Sequence, residues 1–571
     1  MILSKSNYMN YLRHPAWLWL EKHDKDKIPK SDDNTQAMFA NGAKFEHYAE
    51  IQFEGATRMH WDKTDYDSYA SLGPRTKEAI ERGSKVILQA KFETEDLACI
   101  CDVVQIVNEH TVDLIEIKSS TSVKKEHLYD LAFQTEVLHR NGYKVRDVSV
   151  IYVDRDFVAG SIGHEMTIKE NVTTKVLALG EETKRNIDAA LAVMRSSSIP
   201  DISPRHVGLG AMSEWLTIYR NLVELPEYSI YDLVKLTPLQ IEQFEDDGIL
   251  YIADIPEGTY LTPKQELQVL ATKQEKPIIN RDAIRAFLGE LTFPLYFLDY
   301  ETFSGVVPYF DGQSPYQQIP FQVSVHRLDS IDDEPLHDWY LHREKTDPIV
   351  RMTESLESIL GTRGSIITWN MSFEKNCNKL MGELCPEYRE FYEKVNDRIV
   401  DLGTPFKDDM YVDKAFRGSW SIKNIMPVLM PELSYKTLGI QNGSTAQQRW
   451  IQAVLEESRD DKEQVFDDLL KYCELDTLAM VEIFNVLWQQ FVPMNPEPDM
   501  LDMTDEVSKR GVKCMWCGST RTAKIEWGMY DDDALEDEDV KSGKVYLGGC
   551  TPDMVAMRTA IRHCYGCGKN Y

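Results

Sequence analysis

Apolar positions along the chain switch between a helical spacing and an extended one. Residues Ser6 to Leu12 read as an amphipathic helix, broken by the turn at His14-Pro15. Trp17, Leu18 and Trp19 follow, an aromatic segment that predicts core packing. A second helix is predicted over NGAKFEHYAEIQF (41–53). Two strand-like runs come next, LACICDVVQIV (97–107) and TVDLIEIKSS (111–120), separated by the turn-like Asn108-Glu109-His110. A helix over 127–143 succeeds them, and Thr237-Pro238 starts a short helix that ends near Gly248. Further on, LYFLDYETFSG (295–305) and GSIITW predict strands, the second leading into a helix at FEKN. RIV is a short apolar run, and KYCELDTLAMVEIFNVLW has helical spacing. This alternation predicts an α/β multi-domain protein, and 571 residues suffice for three or four domains.

Charge narrows the choice of partners. The net charge is -30 with a pI near 4.9, which argues against broad attraction to nucleic acid or to an anionic membrane. Local basic residues and acid-rich metal sites keep a nucleic-acid enzyme open. Seven of the acids fall in YDDDALEDEDV (530–540), which reads as a solvated loop. The start is interrupted by charge and lacks a cleavage site, and no segment has 18 consecutive apolar residues, so a cytoplasmic protein without membrane contact is expected. Ten cysteines are too few for a secreted disulfide scaffold of this length.

The chemistry concentrates in acids at strand ends. Asp299 and Glu301 stand at i and i+2, so a strand presents both on one face. Two like charges so close call for a cation or a proton between them, although an isolated pair is also what two solvated acids at a strand end look like. Asp102 interrupts the first of the paired strands, and Glu116 and Lys118 lie at i and i+2 on the second. Asp102 and Glu116 can share Mg2+ or Mn2+ while Lys118 orients a water; plain alternation on a half-exposed strand is the competing reading of EIK. Downstream, Glu374 opens a helix, Asp401 closes a short strand, and Tyr472 and Asp476 are spaced i, i+4 on one helical face.

In this order the motifs resemble two nuclease families. Residues 1 to about 165 are similar to the RecB-like PD-(D/E)XK nucleases, with a restriction-endonuclease-like fold. The resemblance implies Glu46 (where many relatives use His), Asp102 and Glu116 as metal ligands, with Lys118 and Gln134 completing the site. Many relatives hold an iron–sulfur cluster through cysteines; His14 stands near the first such place and IPDISPRHVGLGAMSEW has no cysteine, so no cluster is expected. Residues from about 290 to 490 resemble the RNase H-like DEDD exonucleases of the tyrosine-bearing subgroup. That likeness implies that Asp299, Glu301, Glu374 and Asp476 hold two divalent ions and that Tyr472 positions the water. Glu374 stands where Asp is usual, and Asp401 is the alternative third acid. Between the motifs, Arg417, Ser419 and Lys423 are candidate phosphate contacts; a loop capping a helix is the other reading.

Two CxxCG knuckles close the chain, Cys514 with Cys517 and Cys564 with Cys567, with 46 residues and the strand-like KVYLGG between them. Duplicate knuckles predict a small four-cysteine zinc ribbon with structural Zn2+. Its acidic loop favours a protein partner over nucleic acid. The expected division is 1–200 for the PD-(D/E)XK domain, 201–288 for a helical connector with a half helix-hairpin-helix pattern, 289–495 for the DEDD domain and 505–571 for the ribbon. The expected function is a metal-dependent nuclease with two centres, the second a 3′-5′ exonuclease, with DNA favoured over RNA. The alternative is a nucleic-acid- or protein-binding scaffold that retains the folds and has lost activity.

Overall fold

The computed structural model describes residues 1–30, 33–62, 65–162 and 165–492, and the strand segments 522–527, 545–549 and 562–564. The protein is α/β and multi-domain, built on mixed sheets. It divides into two compact units, 1–279 with 291–485 and 280–290 with 486–571.

Seven strands form the first sheet: β1 (Leu3–Ser4), β2 (Thr57–Arg58), β3 (Val86–Glu93), β4 (Leu97–Asn108), β5 (Thr111–Lys118), β6 (Lys144–Val153) and β7 (Thr167–Asn171). Their order is β2-β3-β4-β5-β6-β7, with β1 beside β4. The paired runs expected from the sequence are the antiparallel β4 and β5. β5 and β6 are parallel, which requires a crossover, and the helix Lys125–Arg140 supplies it. Leu131, Phe133, Val137 and Leu138 of that helix are buried against one face of the sheet. Phe45 and Ala49 of the helix Asp33–Glu50 cover the other, over Leu88, Val103, Ile115 and Ile151. With both faces covered, every residue from Val112 to Ile117 is buried, Asp113 and Glu116 included. The helix expected over 41–53 extends back through 33–40, which hold no glycine or proline to stop it, and ends at Glu50.

The helical connector has its own core. Thr237 caps the helix Pro238–Asp246: its Oγ1 accepts from the Gln240 N–H at 3.3 Å while the Gln240 side chain accepts from the Thr237 N–H at 3.2 Å. Ile241 and Phe244 of this helix join Trp215, Ile230 and Ile252 around Ala16 and Leu20 of the helix Pro15–His23. The buried His14 belongs to the same packing, stacked on Trp215 at 3.7 Å with its Nε2 3.0 Å from the Ser203 carbonyl oxygen. In the predicted aromatic segment, Leu18 is fully buried and the two tryptophans are partly so.

A second sheet follows. β8 (Ile278–Ile279) precedes β9 (Leu295–Phe303), β10 (Ile319–Leu328), β11 (Leu336–Leu341), β12 (Ile366–Thr368) and β13 (Ile399–Asp401). The last five lie in the order β11-β10-β9-β12-β13, so β9 is central, and β14 (Tyr411–Val412) pairs back onto β8. β9 is antiparallel to β10 and parallel to β12. The helix Lys462–Phe491 packs on this sheet, with the Gln322 amide of β10 donating to the Leu469 carbonyl at 2.9 Å. Trp450 ends the helix Gly443–Trp450; it stacks on Phe303 at 4.9 Å and on Phe321 at 4.5 Å and donates its indole N–H to the His342 carbonyl at 2.7 Å.

The two sheets belong to one compact unit. The Tyr316 hydroxyl donates to the Ser119 carbonyl just past β5. Ala159 and the 312–313 segment exchange two backbone hydrogen bonds, each 2.9 Å, and Lys44 pairs with Glu456 at 2.7 Å.

In the second unit, Arg285 of the helix Arg281–Gly289 donates to the Phe491 carbonyl at 3.1 Å. β15 (Thr522–Trp527), β16 (Val545–Gly549) and β17 (Arg562–Cys564) form a sheet in the order β16-β15-β17, and the expected KVYLGG strand is β16. Cys514, Cys517 and Cys567 lie outside the described residues, as does the acidic run 530–540, and Cys564 enters only as the last backbone position of β17. Among the described residues no helix is long and apolar enough to cross a membrane.

Trp450 joins β9, β10 and the helix that ends on it. We expect Trp450→Ala to destabilise the protein by about 3–5 kcal/mol in chemical denaturation, the range for deleting a fully buried aromatic.

Candidate functional site

The carboxyl end of β9 delivers Asp299 and Glu301 to one cavity of ≈ 400 Å³. Tyr472 and Asp476 of the helix Lys462–Phe491 line it too, as their i, i+4 spacing predicts. A ligand atom from each of Asp299, Glu301 and Cys473 lies within 4.8 Å of the others. Burial holds the Asp299 and Glu301 carboxyls well above the usual range, Asp476 adds its charge to Asp299, and Asp299 adds its charge to Glu301. Burial also pushes Asp476 up to about 6, against the Tyr435 hydroxyl that donates to its Oδ1 at 2.6 Å and against the charge of Lys423. Lys423 stands 5.4 Å from the ring centre of Tyr435 and 5.7 Å from that of Tyr472, and donates to the Gln441 carbonyl at 2.8 Å.

The two candidates for the third acid differ in their partners. Glu374, in the first turn of the helix Met371–Leu384, is buried, its Oε2 has no hydrogen-bond partner, and burial followed by the charge of Asp299 raises its carboxyl. Asp401 is employed in the backbone: its Oδ1 accepts from the Asn370 N–H at 3.0 Å and the Gly403 N–H at 2.9 Å. It thereby holds Asn370 at φ 72°, a left-handed conformation that asparagine tolerates. Both of the Asp401 bonds fall on Oδ1, so each acid keeps one oxygen out of these contacts, and that of Glu374 is the one buried without a partner. Asp299, Glu301 and Asp476 line the cavity and Glu374 feels the charge of Asp299, and a set of carboxylate oxygens suits a hard divalent cation.

The phosphate-contact candidates separate. Lys423 lines the Asp299 cavity. Arg417 instead faces Glu227 of the connector at 3.7 Å, and Ser419 lines a different cavity with Lys264, Gln268 and Trp420.

A second cluster lies at the first sheet. Glu116 is buried on β5, and both of its oxygens are taken: Oε1 accepts from Lys5 at 2.9 Å and Lys118 at 2.7 Å, and Oε2 from the Gln134 amide at 2.7 Å. Burial alone would raise the Glu116 carboxyl, yet Lys118 and Lys5 hold it far below the usual range. Asp130 accepts from Lys118 at 2.9 Å and from Gln134 at 2.8 Å. On β4, Asp102 accepts from the Ile117 N–H at 2.8 Å; burial and the Glu116 charge push its carboxyl up to about 7. Asp102 and Glu46 open onto a shared cavity of ≈ 670 Å³, with Lys5, Gln89, Trp61 and Tyr69 on its wall. Gln89, on β3 at the position facing Asp102, has φ 59° and donates to Glu46. Both lysines sit on Oε1 of Glu116 and only the Gln134 amide on Oε2.

Sequence reasoning missed Lys5, Gln89 and Asp130 in this cluster and Tyr435 and Cys473 in the other. Asp130 had a signal, since it lies i, i+4 from Gln134 on one helix face. Lys5 and Tyr435 had none; Tyr435 sits on a single helical turn, Tyr435–Thr437, without periodicity.

Residues 296–421 match the family described as Domain of unknown function (DUF2779), a span that holds Asp299, Glu301, Glu374 and Asp401 and stops short of Lys423, Tyr472 and Asp476. The chain is similar to the Uncharacterized protein MG366 of Mycoplasma genitalium, 27% identical over 209 residues, covering 33% of this chain and 31% of that protein. It is also similar to the Uncharacterized protein UU173 of Ureaplasma parvum serovar 3, 27% identical over 302 residues, covering 47% of this chain and 41% of that protein. The chain thus spans well under half the length of either relative. No solved structure matches.

Proposed function

We propose that the protein is a metal-dependent nuclease whose principal centre is the Asp299 cluster, a 3′-5′ exonuclease site of the DEDD type on an RNase H-like sheet. One observation carries the reading. Three buried carboxylates, Asp299, Glu301 and Asp476, line one cavity, a fourth, Glu374, is buried within reach of the charge of Asp299, and among the described residues no lysine or arginine is bonded to any of them, an arrangement that is costly without a bound cation. The sheet order, with a central strand bearing the DxE pair between antiparallel and parallel neighbours, supports the same fold assignment.

Asp299, Glu301, Glu374 and Asp476 would hold Mg2+ or Mn2+, which supplies a polarised phosphate and a water of lowered pKa. The residues around them have separable tasks. Tyr472, its phenol kept protonated by burial and by Asp476, can donate to and orient the attacking water. Lys423 offers the cavity its positive charge toward a phosphate. Trp369 and Phe373 on the wall present rings on which bases stack. DNA is the favoured substrate class over RNA.

The first sheet supports a PD-(D/E)XK-like centre less directly. Its Asp102, Glu116 and Lys118 converge, but two lysines already neutralise Glu116. That balance favours, for this centre alone, the second reading, a binding scaffold with reduced activity. For the C-terminal segment, zinc held by Cys514, Cys517, Cys564 and Cys567 and a protein partner remain part of the proposal.

End-labelled DNA and RNA incubated with Mg2+ or Mn2+ test the assignment. We expect Asp299→Ala with Glu301→Ala to lower cleavage by about 10²–10³-fold, the worth of several kcal/mol of metal-assisted stabilisation. Glu116→Ala should leave exonucleolytic trimming within about tenfold. Equal rates for the wild type and the Asp299/Glu301 double variant would sink the proposal.

The third acid has its own test. Glu374→Gln should cost activity on the scale of the double variant, whereas Asp401→Asn, which keeps an acceptor for both N–H groups, should cost less than about tenfold.

Linkage supplies a test independent of substrate. Asp476 is raised from 3.8 to about 6 in the folded protein, so the folded state holds the proton longer than the unfolded one. Its contribution favours folding at low pH and is lost as pH rises through about 6. Without metal, Asp476→Asn should therefore gain on the wild type by at least about 1 kcal/mol between pH 5 and pH 8, and added Mn2+ should reverse the gain. A difference that does not change with pH would refute the uncompensated-acid account.

A further inference from the structure

A second cavity, of ≈ 400 Å³, adjoins the one that receives Asp299 and Glu301. Gln318 and Phe373 stand in the walls of both, so the two spaces meet along these side chains. The other walls come from the first sheet as well as the second. Arg155, two residues past β6, supplies one side. Tyr316 and Gln317, in the segment that leads into β10, supply another. Asn376 supplies the third, from the helix Met371–Leu384 that also carries Glu374.

The wall is held in place by bonds at both of its ends. Tyr316 has φ 63°, an uncommon conformation for an aromatic residue; its N–H donates to the Gly305 carbonyl at 2.9 Å and its hydroxyl to the Ser119 carbonyl beyond β5. The Ser314 N–H donates to Gln317 Oε1 at 2.8 Å. That backbone donor fixes the amide and leaves its NH2 without a bonded partner among the described residues. Charge distinguishes this cavity from its neighbour. The chain carries a net charge of -30, yet no Asp or Glu is among the described residues that line this wall. The exposed Arg155 is the charged residue on it and forms no ion pair among the described residues. A free guanidinium, free amide donors and the rings of Tyr316 and Phe373 match a polynucleotide strand, the donors for its phosphate and the rings for its bases.

We propose that this cavity is the subsite for the nucleotide next to the one held at Asp299, on a single strand, and that Arg155 binds its phosphate. The first sheet thereby contributes a substrate contact to the centre on the second. Phe373, shared by the two cavities, stands where a base can stack between them. Gln317 and Asn376 offer amides to the edge of the neighbouring base or to its sugar. A cavity of this size admits one strand and excludes a duplex. The inference rests on the nuclease reading of the Asp299 cluster and gives that site the path of its strand.

The test measures binding rather than cleavage. Short oligo(dT) labelled at its 5′ end is titrated with the full chain by fluorescence anisotropy over a range of salt, with Ca2+ as the ion, and thymidine 5′-monophosphate is measured by competition. The advantage of the oligonucleotide over the mononucleotide reports the subsite, and Arg155→Ala should shrink it by about tenfold. The slope of log affinity against log salt should fall in magnitude by about 0.7, the worth of one phosphate contact on a single strand. Arg155→Lys, which keeps the charge, should restore the slope. Arg155 is exposed, so neither substitution disturbs the core. An unchanged advantage and slope in Arg155→Ala would overturn the subsite and leave the Asp299 centre standing, whereas a wild type that binds no oligo(dT) would overturn both. A loss of affinity with the slope intact would also overturn the subsite, since lost packing does not change the number of phosphates bound.

Discussion

Carboxylates brought together out of water repel one another, and the two sheets answer that repulsion differently. At the first sheet the protein supplies the compensation itself: Lys5 and Lys118 bind Glu116, and Lys118 extends to Asp130. At the second sheet no lysine or arginine is bonded to the acids among the described residues. Burial raises the pKa of Asp299, Glu301, Glu374 and Asp476, a neighbouring carboxylate adds to the first three, and Lys423 is near without bonding any of them. The first cluster is closed by its own lysines. The second has no lysine bonded to it among the described residues, and on that difference the proposed metal centre rests.

The helix Lys462–Phe491 distributes several tasks around its circumference. Tyr472 and Asp476 face the acid cavity, and Cys473 reaches Asp299 Oδ2 at 3.8 Å. Leu469 offers its carbonyl to Gln322, and Thr477 and Glu474 meet the histidines of β10 and β11. Because residues three and four apart share a face, one rotation of this helix decides all of these contacts together. The stack of Phe303, Trp450 and Phe321 fixes the neighbouring helix, whose Gly443, Ser444 and Gln447 complete the cavity wall. At Gly443 an added Cβ would approach Glu301 Oε2 to 3.4 Å, so a small residue there keeps the acid accessible.

The two sheets also constrain each other. Tyr316 bonds the carbonyl of Ser119, the residue after Lys118, and Val306, just past β9, is buried in the core that covers the first sheet. Both clusters therefore sit in one compact unit, with the connector's own core packed on the helix Pro15–His23.

Most local elements were legible in the sequence. Apolar runs located β4, β5 and β9, Thr237-Pro238 located a helix start, and i, i+4 spacing placed Tyr472 with Asp476. The DxE pair and the acids after it were equally visible, because strand and helix periodicity states which side chains share a face. Periodicity does not state what that face meets. Lys5 reaches Glu116 across 111 positions of sequence, Tyr435 reaches Asp476 across 41, and Ser324 reaches Thr477 across 153. Asp401 and Glu374 looked interchangeable as acids until the backbone N–H groups of Asn370 and Gly403 engaged one and left the other without a partner. The sequence by itself determined the α/β elements and which acids line up along them. Tertiary structure alone decided which of those acids a lysine neutralises and which have none bonded to them among the described residues, because compensation depends on distances between residues that the chain keeps far apart.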